Sequence, residues 1–462
     1  MRLLLCLLAG LYASSAWGQE FGCGFGLGPE GASGASSHNL AYYQSGTIRP
    51  LILFGTFQGV AGKTLTALQD RELFENQSVA NLLDVTHEGS LAHYFNEMSY
   101  GRLTLAPGLA GIPTTWVQSN QSCVENYVNP PSTPPPTPLP CVPTPSCGTN
   151  SNGWHPGVTT FVQEVLANAD PTIDFGPYDA DNDGEVDLVA VITPEAFGNT
   201  CGNRNGTVLD IGFSYSTGDT NSLGNPVTVG RVITSDYRIS FPFIVGVLAH
   251  EYGHVMGLPE LFDRSHSIFG DRTAANHSAG IGNWGTMAKG PNGWNHIVRR
   301  GGNSAAAVDG PNPLCAWSRR QVGWITDDTA APVENQRLVE VTGDMDNVQI
   351  HDVNSANGRV YKIDVSTDEY FLIANRQNTH SETNPPIGSY YDDYAPASGL
   401  AIWHIDETVR RGNNVPTLTK SISALIWSAP MGFSIWGALA LLAIAQILFR
   451  AAIISIIGHP MT

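Results

Sequence analysis

Two kinds of hydrophobic pattern alternate along this chain, and together they predict an α+β fold. A short apolar run bounded by turn residues, as at 188–192, is typical of a buried strand. Apolar residues at helical spacing predict helices at 90–98, 154–169 and 241–250. From residue 333 to residue 405, short β-type runs recur with turn residues between them, which predicts a smaller β-rich domain.

The two ends of the chain carry patterns of a different kind. A basic start precedes an apolar run, and Ala16-Trp17-Gly18 provides a cleavage site typical of a secretory signal peptide. Near the other end, residues 431–449 are almost wholly apolar, which is typical of a transmembrane or sorting helix. The predicted regions are a signal peptide at 1–18, a flexible leader or short pro-segment at 19–47, a large α+β domain at 48–330, a β-rich domain at 331–412 and a tail at 413–462 that contains the apolar helix.

Composition and charge narrow the class of protein. The chain has 462 residues and a formal net charge of −18, and an acidic surface argues against binding to nucleic acid. Seven cysteines occur, and because Cys6 lies in the predicted signal peptide, six remain in the mature chain. An even number of cysteines in an exported protein favours disulfide bonds. These features predict an exported globular protein that is extracellular or held at the cell surface.

The strongest chemical signal is the stretch from His250 to Glu260. His250 and His254 are four positions apart on the predicted helix, so their imidazoles lie on one face and can bind one zinc ion. Glu251 projects beside them and is placed to take a proton from a water molecule. Gly257 suits the end of the helix, and the reversed chain returns Glu260 toward the histidines as a third ligand. The alternative is an ordinary buried helix whose two histidines bind other protein groups.

A second group of polar residues indicates a site for a hard cation. Its carboxylates are those of Asp179, Asp181, Asp183 and Asp187, and a glycine stands at the sixth position of the loop. Carboxylates at alternate positions with a glycine at that point allow a tight loop to wrap Ca²⁺. The twelfth position is Ala190, so the glutamate that completes an EF-hand loop is missing. We therefore predict a structural calcium site, and the alternative is a solvated acidic turn before a strand.

A third motif, NWGTMAKG at 283–290, lies downstream of the helix. Zinc peptidases in which a glycine and a third ligand follow the two histidines carry such a turn, and its methionine lies beneath the metal. Met287 fits that role, so we predict that it forms the floor of the site. The alternative is a methionine that belongs only to the hydrophobic core.

The motifs HEYGHVMGLPELFD and NWGTMAKG together resemble the immune inhibitor A family of secreted bacterial zinc metallopeptidases. Weaker resemblances extend over residues 50–406. The resemblance implies a zincin-type catalytic domain, with a mixed sheet and an active-site helix, over residues 48–330. The family usually has an aspartate at the third ligand position, where this chain has Glu260. Asp263 is therefore a second candidate for that ligand, or a carboxylate that orients one of the histidines.

These observations predict an exported zinc-dependent metalloendopeptidase. Zn²⁺ would be bound by His250, His254 and Glu260, and Glu251 would act as general base toward a metal-activated water that attacks the peptide bond. The expected partners are protein or peptide substrates, and the C-terminal helix is a candidate for contact with a membrane. Two alternatives stay open: a non-catalytic surface-binding protein with a structural zinc, and a zinc amidase that acts on a non-protein substrate.

Overall fold

The structure is a computed structural model, and the residues it describes form four α-helices and fifteen strands. The described residues are 22–25, 42–58, 79–108, 112–113, 115–121, 157–193, 204–209, 213–236, 241–262, 280–294, 311–343, 348–378, 389–393, 395, 397–407 and 423–427. The helices are α1 (Leu91–Met98), α2 (Gly157–Ala169), α3 (Phe241–Val255) and α4 (Ala316–Gln321).

The strands are short, and several of them, such as β3, β6 and β14 below, coincide with apolar runs in the sequence. They are β1 (Gly22–Phe25), β2 (Gly46–Ile48), β3 (Leu51–Thr56), β4 (Leu103–Leu105), β5 (Trp116–Gln118), β6 (Val189–Thr193), β7 (Arg204–Leu209), β8 (Tyr215–Thr220), β9 (Pro226–Val229), β10 (Val232–Asp236), β11 (Leu338–Glu340), β12 (Val360–Asp364), β13 (Glu369–Arg376), β14 (Gly399–Asp406) and β15 (Ser423–Trp427).

A six-stranded mixed sheet lies at the centre, in the order β1-β7-β10-β6-β3-β5. Strands β10, β6, β3 and β5 are mutually parallel, β7 is antiparallel to β10, and β1 runs parallel to β7. The prediction of a mixed sheet with helices is therefore confirmed. Two further pairs, β2 with β4 and β8 with β9, form small sheets of their own.

Helices cover both faces of the central sheet. Successive side chains of a strand point to opposite faces, so Leu51 and Leu53 pack with α2, whereas Ile52 and Phe54 pack with α1 and α3. Burial on both faces explains why β3 and β6 read as unbroken apolar runs rather than alternating ones. Helix α3, which carries the predicted zinc ligands, lies against β7 and β10 inside the protein.

A second sheet packs against the same core. Its strands follow the order β11-β12-β13-β14-β15, with β11 parallel to β12 and the other pairs antiparallel. Leu372 and Trp403 on one face of this sheet belong to the hydrophobic core that also contains α1 and α3. The fifth strand, β15, lies in the predicted tail at 413–462 and was not expected from the sequence. The domain boundaries themselves stay a prediction.

Part of the predicted leader at 19–47 is built into the fold. Strand β1 joins the central sheet, and β2 pairs with β4. The Tyr252 hydroxyl of α3 donates to the carbonyl of Tyr43 at 3.0 Å, and the Gln44 amide donates to the carbonyl of Met256 at 3.2 Å. The segment just before β2 therefore supports the C-terminal end of the helix that carries the histidines.

Several sequence predictions fall outside the described residues. The signal peptide at 1–18 and the transmembrane or sorting helix at 431–449 are among them. Among the helices that the structure does describe, none combines the length and the apolar character needed to cross a bilayer. Cys315, which an even cysteine count would pair, is a buried free thiol at the start of α4. The other five mature cysteines have side chains outside the described residues.

The shared core gives a first testable prediction, because Leu372 is fully buried in it while Leu223 is 71% exposed. We expect Leu372→Ala to lower the free energy of unfolding by about 2–5 kcal/mol, since it removes buried apolar atoms and leaves a cavity. The matched change Leu223→Ala should stay within about 0.5 kcal/mol of the parent. Urea unfolding measures both, and equal midpoints for the two variants would contradict this account of the core.

Candidate metal and catalytic site

The active-site helix ends in a turn that reverses the chain. Gly257 has φ +86°, a left-handed conformation that glycine adopts without strain from a Cβ atom. Its N–H donates to the carbonyl of His254 at 2.8 Å, and the N–H of Leu258 donates to the carbonyl of Gly253 at 2.9 Å. These two bonds form a Schellman motif, which satisfies carbonyls that the helix end leaves without a helical partner. The turn sends the next residues back toward the histidines.

The two predicted zinc-binding histidines lie side by side in the interior. Their ring centroids are 4.7 Å apart, with the ring planes at 86°, and the Nε2 atom of His254 lies 3.1 Å from the Nε2 atom of His250. Both side chains are buried. The spacing of four residues therefore places both rings as the sequence predicts, and their Nε2 atoms converge on one point.

Each histidine is fixed by a bond from its other ring nitrogen to a main-chain carbonyl. His250 Nδ1 lies 2.7 Å from the carbonyl oxygen of Thr286, and His254 Nδ1 lies 2.7 Å from that of Leu258. A carbonyl oxygen only accepts, so both Nδ1 atoms carry a proton and donate. In a neutral imidazole this leaves the lone pair on Nε2, which is the form that binds a metal.

Glu260 reaches the same point from the returning chain. Its Oε2 atom lies 3.4 Å from His250 Nε2, and its Oε1 atom lies 3.8 Å from His254 Nε2. One ligand atom from each of the three residues lies within 4.8 Å of the others. The structure thus brings together His250, His254 and Glu260, as the sequence predicts. Asp263, the second candidate for the third ligand, lies outside the described residues.

The segment that carries Glu260 is held in place by the turn around Met287. The N–H of Leu261 donates to the carbonyl of Met287 at 2.7 Å, and the N–H of Ile281 donates to the carbonyl of Leu261 at 3.1 Å. The segment that carries Glu260 is therefore anchored on both sides, at Leu261 and at Leu258, whose carbonyl accepts from His254.

Met287 packs directly on the backbone of the active-site helix. It is fully buried, and a Cβ atom built on Gly253 would lie 2.3 Å from its sulfur. The glycine within HEYGH is therefore the residue that lets the methionine approach, directly beside His254 in the sequence. Met287 thus lies against the helix that carries the histidines, and its role as the floor of the site stays a prediction.

Glu251 follows His250 on the helix, and its side chain is also fully buried. The site therefore contains two buried carboxylates, those of Glu251 and Glu260, beside two imidazoles. Burial is the largest single influence on the pKa of His250 and lowers it, but the carboxylates of Glu260 and Glu251 and the bond to Thr286 together raise it, so the net pKa lies above its usual value. The negative potential of the carboxylates, which favours a proton on His250 Nε2, also favours a metal cation at that point.

The donor set fits zinc. Two imidazole Nε2 atoms and one glutamate oxygen are ligands of catalytic zinc sites, which leave the fourth position of the tetrahedron open. Two neutral Nε2 lone pairs that face each other at 3.1 Å repel unless a positive charge lies between them. A divalent cation would also neutralise two carboxylates whose burial is otherwise costly. The residues present therefore suit a metal ion better than a simple hydrogen-bonded cluster.

The acidic loop brings together three of its four predicted ligands. Carboxylate oxygens of Asp179, Asp181 and Asp183 lie within 4.8 Å of one another. Asp187 is not in this group, and its carboxylate accepts a hydrogen bond from the Tyr42 hydroxyl at 2.8 Å. Burial raises the pKa of Asp187 to about 7. Exposed carboxylates cluster in loops without a bound ion as well, so calcium binding stays a prediction.

Sequence reasoning missed the groups that orient the histidines. Leu258 and Thr286 contribute carbonyl oxygens, which every residue has, so no residue type signals them. Tyr94 and Asn312, which contact Thr286, are far from it in the sequence and read as ordinary core and loop residues. A sequence signal was available only for the position of Thr286, one residue before the methionine of the turn.

Comparison with known proteins adds little to this site. No protein-family model matches the chain, and none of the curated proteins matches it. Catalytically inactive OgpA from Akkermansia muciniphila, in complex with an O-glycopeptide substrate (glycodrosocin), is 11% identical over 88% of this chain and 99% of that chain, with a TM-score of 0.29. Wild-type OgpA gives 11% identity over 88% and 100% of the two chains, with a TM-score of 0.28. Similarity this low does not establish a shared fold.

The contact between Gly253 and Met287 gives a second prediction. Glycine to alanine inside a helix ordinarily stabilises by about 1 kcal/mol, but at Gly253 the new methyl group would meet the methionine sulfur. We therefore expect Gly253→Ala to lower the melting temperature. Gly343→Ala, in a bend outside the helices, is the control for an alanine that meets no neighbour, because no atom lies within 4 Å of a Cβ there.

A second variant identifies the cause of the change. If the clash is responsible, Gly253→Ala should lower the melting temperature less in a Met287→Ala background, where the sulfur is absent. The stability changes of the two single variants will then not add up to that of the double variant. Equal effects of Gly253→Ala in both backgrounds would show that the methionine is not what requires the glycine.

Proposed function

We propose that this protein is an exported zinc-dependent metalloendopeptidase. The observation that carries the proposal is the convergence of the His250 and His254 Nε2 atoms with the Glu260 carboxylate, at the end of a buried helix that also bears Glu251. The zincin-type fold, and membership of a family such as immune inhibitor A, belong to the same proposal. They are supported by the motifs HEYGHVMGLPELFD and NWGTMAKG.

The two histidines and Glu260 would hold the metal. A zinc ion bound there supplies Lewis acidity toward the carbonyl of a peptide bond and lowers the pKa of a water molecule in the open position. Thr286 and Leu258 keep both imidazoles in the tautomer that presents Nε2. The protein thus orients the ligands before a substrate arrives.

Glu251 is the candidate general base. It belongs to the same helical turn as both ligands, and it is shielded from solvent in the described structure. Its carboxylate would accept a proton as the nucleophile forms and release it to the departing amine of the cleaved peptide. A structural zinc site has no need of a buried carboxylate in this place, and it binds four protein ligands instead of three.

Glu251→Gln tests the assignment of the base. The amide keeps the size of the side chain and leaves all three ligands, so we expect about one zinc ion per chain, as in the parent. Peptide cleavage should fall by about 10²–10⁴, since the proton acceptor is lost. Elemental analysis and cleavage of a fluorogenic peptide library measure the two effects, with Glu340→Gln in the second sheet as control. Cleavage at the parental rate, or cleavage that survives removal of metal by a chelator, would refute the enzyme proposed here.

Glu260→Gln tests the third ligand. We expect zinc affinity to fall by more than the roughly 10–100-fold that loss of an outer hydrogen-bond partner costs, because the charged ligand itself is removed. Competition with a chromogenic chelator measures the affinity, again with Glu340→Gln as control. If Glu260→Gln binds zinc as the parent does and Asp263→Asn does not, the third ligand is Asp263 and the assignment to Glu260 is wrong.

A further inference from the structure

The carbonyl that orients His250 belongs to a residue with its own buried contacts. The Thr286 hydroxyl donates to the carbonyl oxygen of Asn312. The Tyr94 hydroxyl, which comes from α1, lies within hydrogen-bond distance of the Thr286 hydroxyl and 3.0 Å from the same Asn312 carbonyl oxygen. Three polar groups from three distant parts of the sequence therefore meet directly behind the peptide that holds a zinc ligand.

Asn312 also closes the turn that contains Thr286. Its side-chain amide donates to the carbonyl of Asn283 at 2.6 Å, and its main-chain N–H donates to the carbonyl of Gly290 at 2.8 Å. Asn283 and Gly290 are the first and last residues of the motif NWGTMAKG. One residue thus joins both ends of the turn, while its carbonyl oxygen accepts from the middle of it.

Burial makes these contacts specific. Tyr94, Thr286 and Asn312 are all fully buried, so water does not compete for their polar groups. Burial also raises the pKa of Tyr94 well above its usual range, which keeps the hydroxyl protonated and able to donate. A carbonyl oxygen has two lone pairs, so Asn312 can accept from both hydroxyls at once.

We propose that Tyr94, Thr286 and Asn312 are positioning residues for His250, which set the place of the Thr286 carbonyl and through it the orientation of the imidazole. They act through the main chain and contact neither the metal position nor a substrate. The inference rests on the zinc site of the proposed function.

The two histidines differ in a way that makes the role measurable. His250 depends on Thr286, 36 residues away. His254 depends on Leu258, only four residues away in the turn that follows the helix. Loss of the Thr286 hydroxyl should therefore disturb His250 and leave His254 in place, whereas a general loss of packing would disturb both.

Thr286→Val is the direct test, since valine has nearly the same shape without the hydroxyl. The Tyr94 hydroxyl can still donate to the Asn312 carbonyl in this variant, so no buried donor loses its partner. We expect zinc affinity to fall by about 10–100-fold, as for other outer partners of metal-binding histidines. Thr286→Ser restores the hydroxyl and should bind zinc like the parent.

Thr217→Val is the matched control. Thr217 is also fully buried, and its hydroxyl donates to the carbonyl of Val227 at 2.7 Å, in the β8–β9 pair. The two valine variants lose the same kind of bond, but only Thr286→Val should weaken zinc binding. Equal zinc affinity in the two variants would overturn the proposal.

A second readout is independent of the metal. Nitrogen NMR of the imidazoles in the zinc-free chain reports which ring nitrogen of each histidine is protonated. In Thr286→Val we expect the His250 signals to shift toward a mixture of tautomers and those of His254 to stay unchanged. Unchanged His250 signals in Thr286→Val would overturn the positioning role, even if the parent protein binds zinc. If the parent protein binds no zinc, the proposed function is refuted, but the NMR signals of the zinc-free chain still decide the role of Thr286.

Tyr94→Phe keeps the test decisive if Thr286→Val does not fold. It removes a hydroxyl from α1 and retains the ring, which packs edge-on against the ring of Tyr391 with the two ring centroids 4.8 Å apart. We expect a smaller loss of zinc affinity than for Thr286→Val, with the same selective effect on His250. A Tyr94→Phe variant with parental zinc affinity and parental His250 signals would exclude Tyr94 from the network.

Discussion

The site depends on one repeated interaction, the hydrogen bond from each histidine Nδ1 to a main-chain carbonyl at 2.7 Å. A carbonyl can only accept, so each ring in its neutral form presents an Nε2 lone pair. The two lone pairs and the Glu260 carboxylate then define a point that favours positive charge. The turn at Gly257 and the contacts around Thr286 keep the two peptide groups that bear these carbonyls in their places.

The two carbonyls are held by different means. Leu258 is fixed locally, because the Schellman turn at Gly257 follows directly from the end of α3. Thr286 is fixed by tertiary contacts from α1 and Asn312, and its turn is also tied to the second sheet, where Arg376 donates to the carbonyl of Trp284 at 3.1 Å. Arg376 in turn forms a buried ion pair with Asp392, so loss of either partner would leave an uncompensated charge in the core. The C-terminal sheet therefore contributes to the geometry of the site.

Buried carboxylates make this arrangement costly without a cation. Glu251 and Glu260 lie inside the protein beside two imidazoles, and transfer of a charged group out of water is unfavourable unless an opposite charge compensates it. Metal binding and folding should therefore be coupled, with the cation stabilising the native state more than the unfolded chain. The acidic loop differs, because Asp181 and Asp183 are exposed and can be solvated without an ion.

The sequence by itself determined the buried strands β3 and β6, the helix that carries the histidines, the spacing of its ligands and the return of Glu260. These follow from hydrophobic periodicity and from the preferences of glycine, which act over a few residues and are visible in residue types. Only the tertiary structure decided which carbonyls orient the rings, that Gly253 makes room for Met287, and that β1 and β15 join sheets. Those features depend on main-chain groups that every residue shares, and on contacts between segments that are separate in the sequence, such as β1 and β7, which leave no local pattern in the chain.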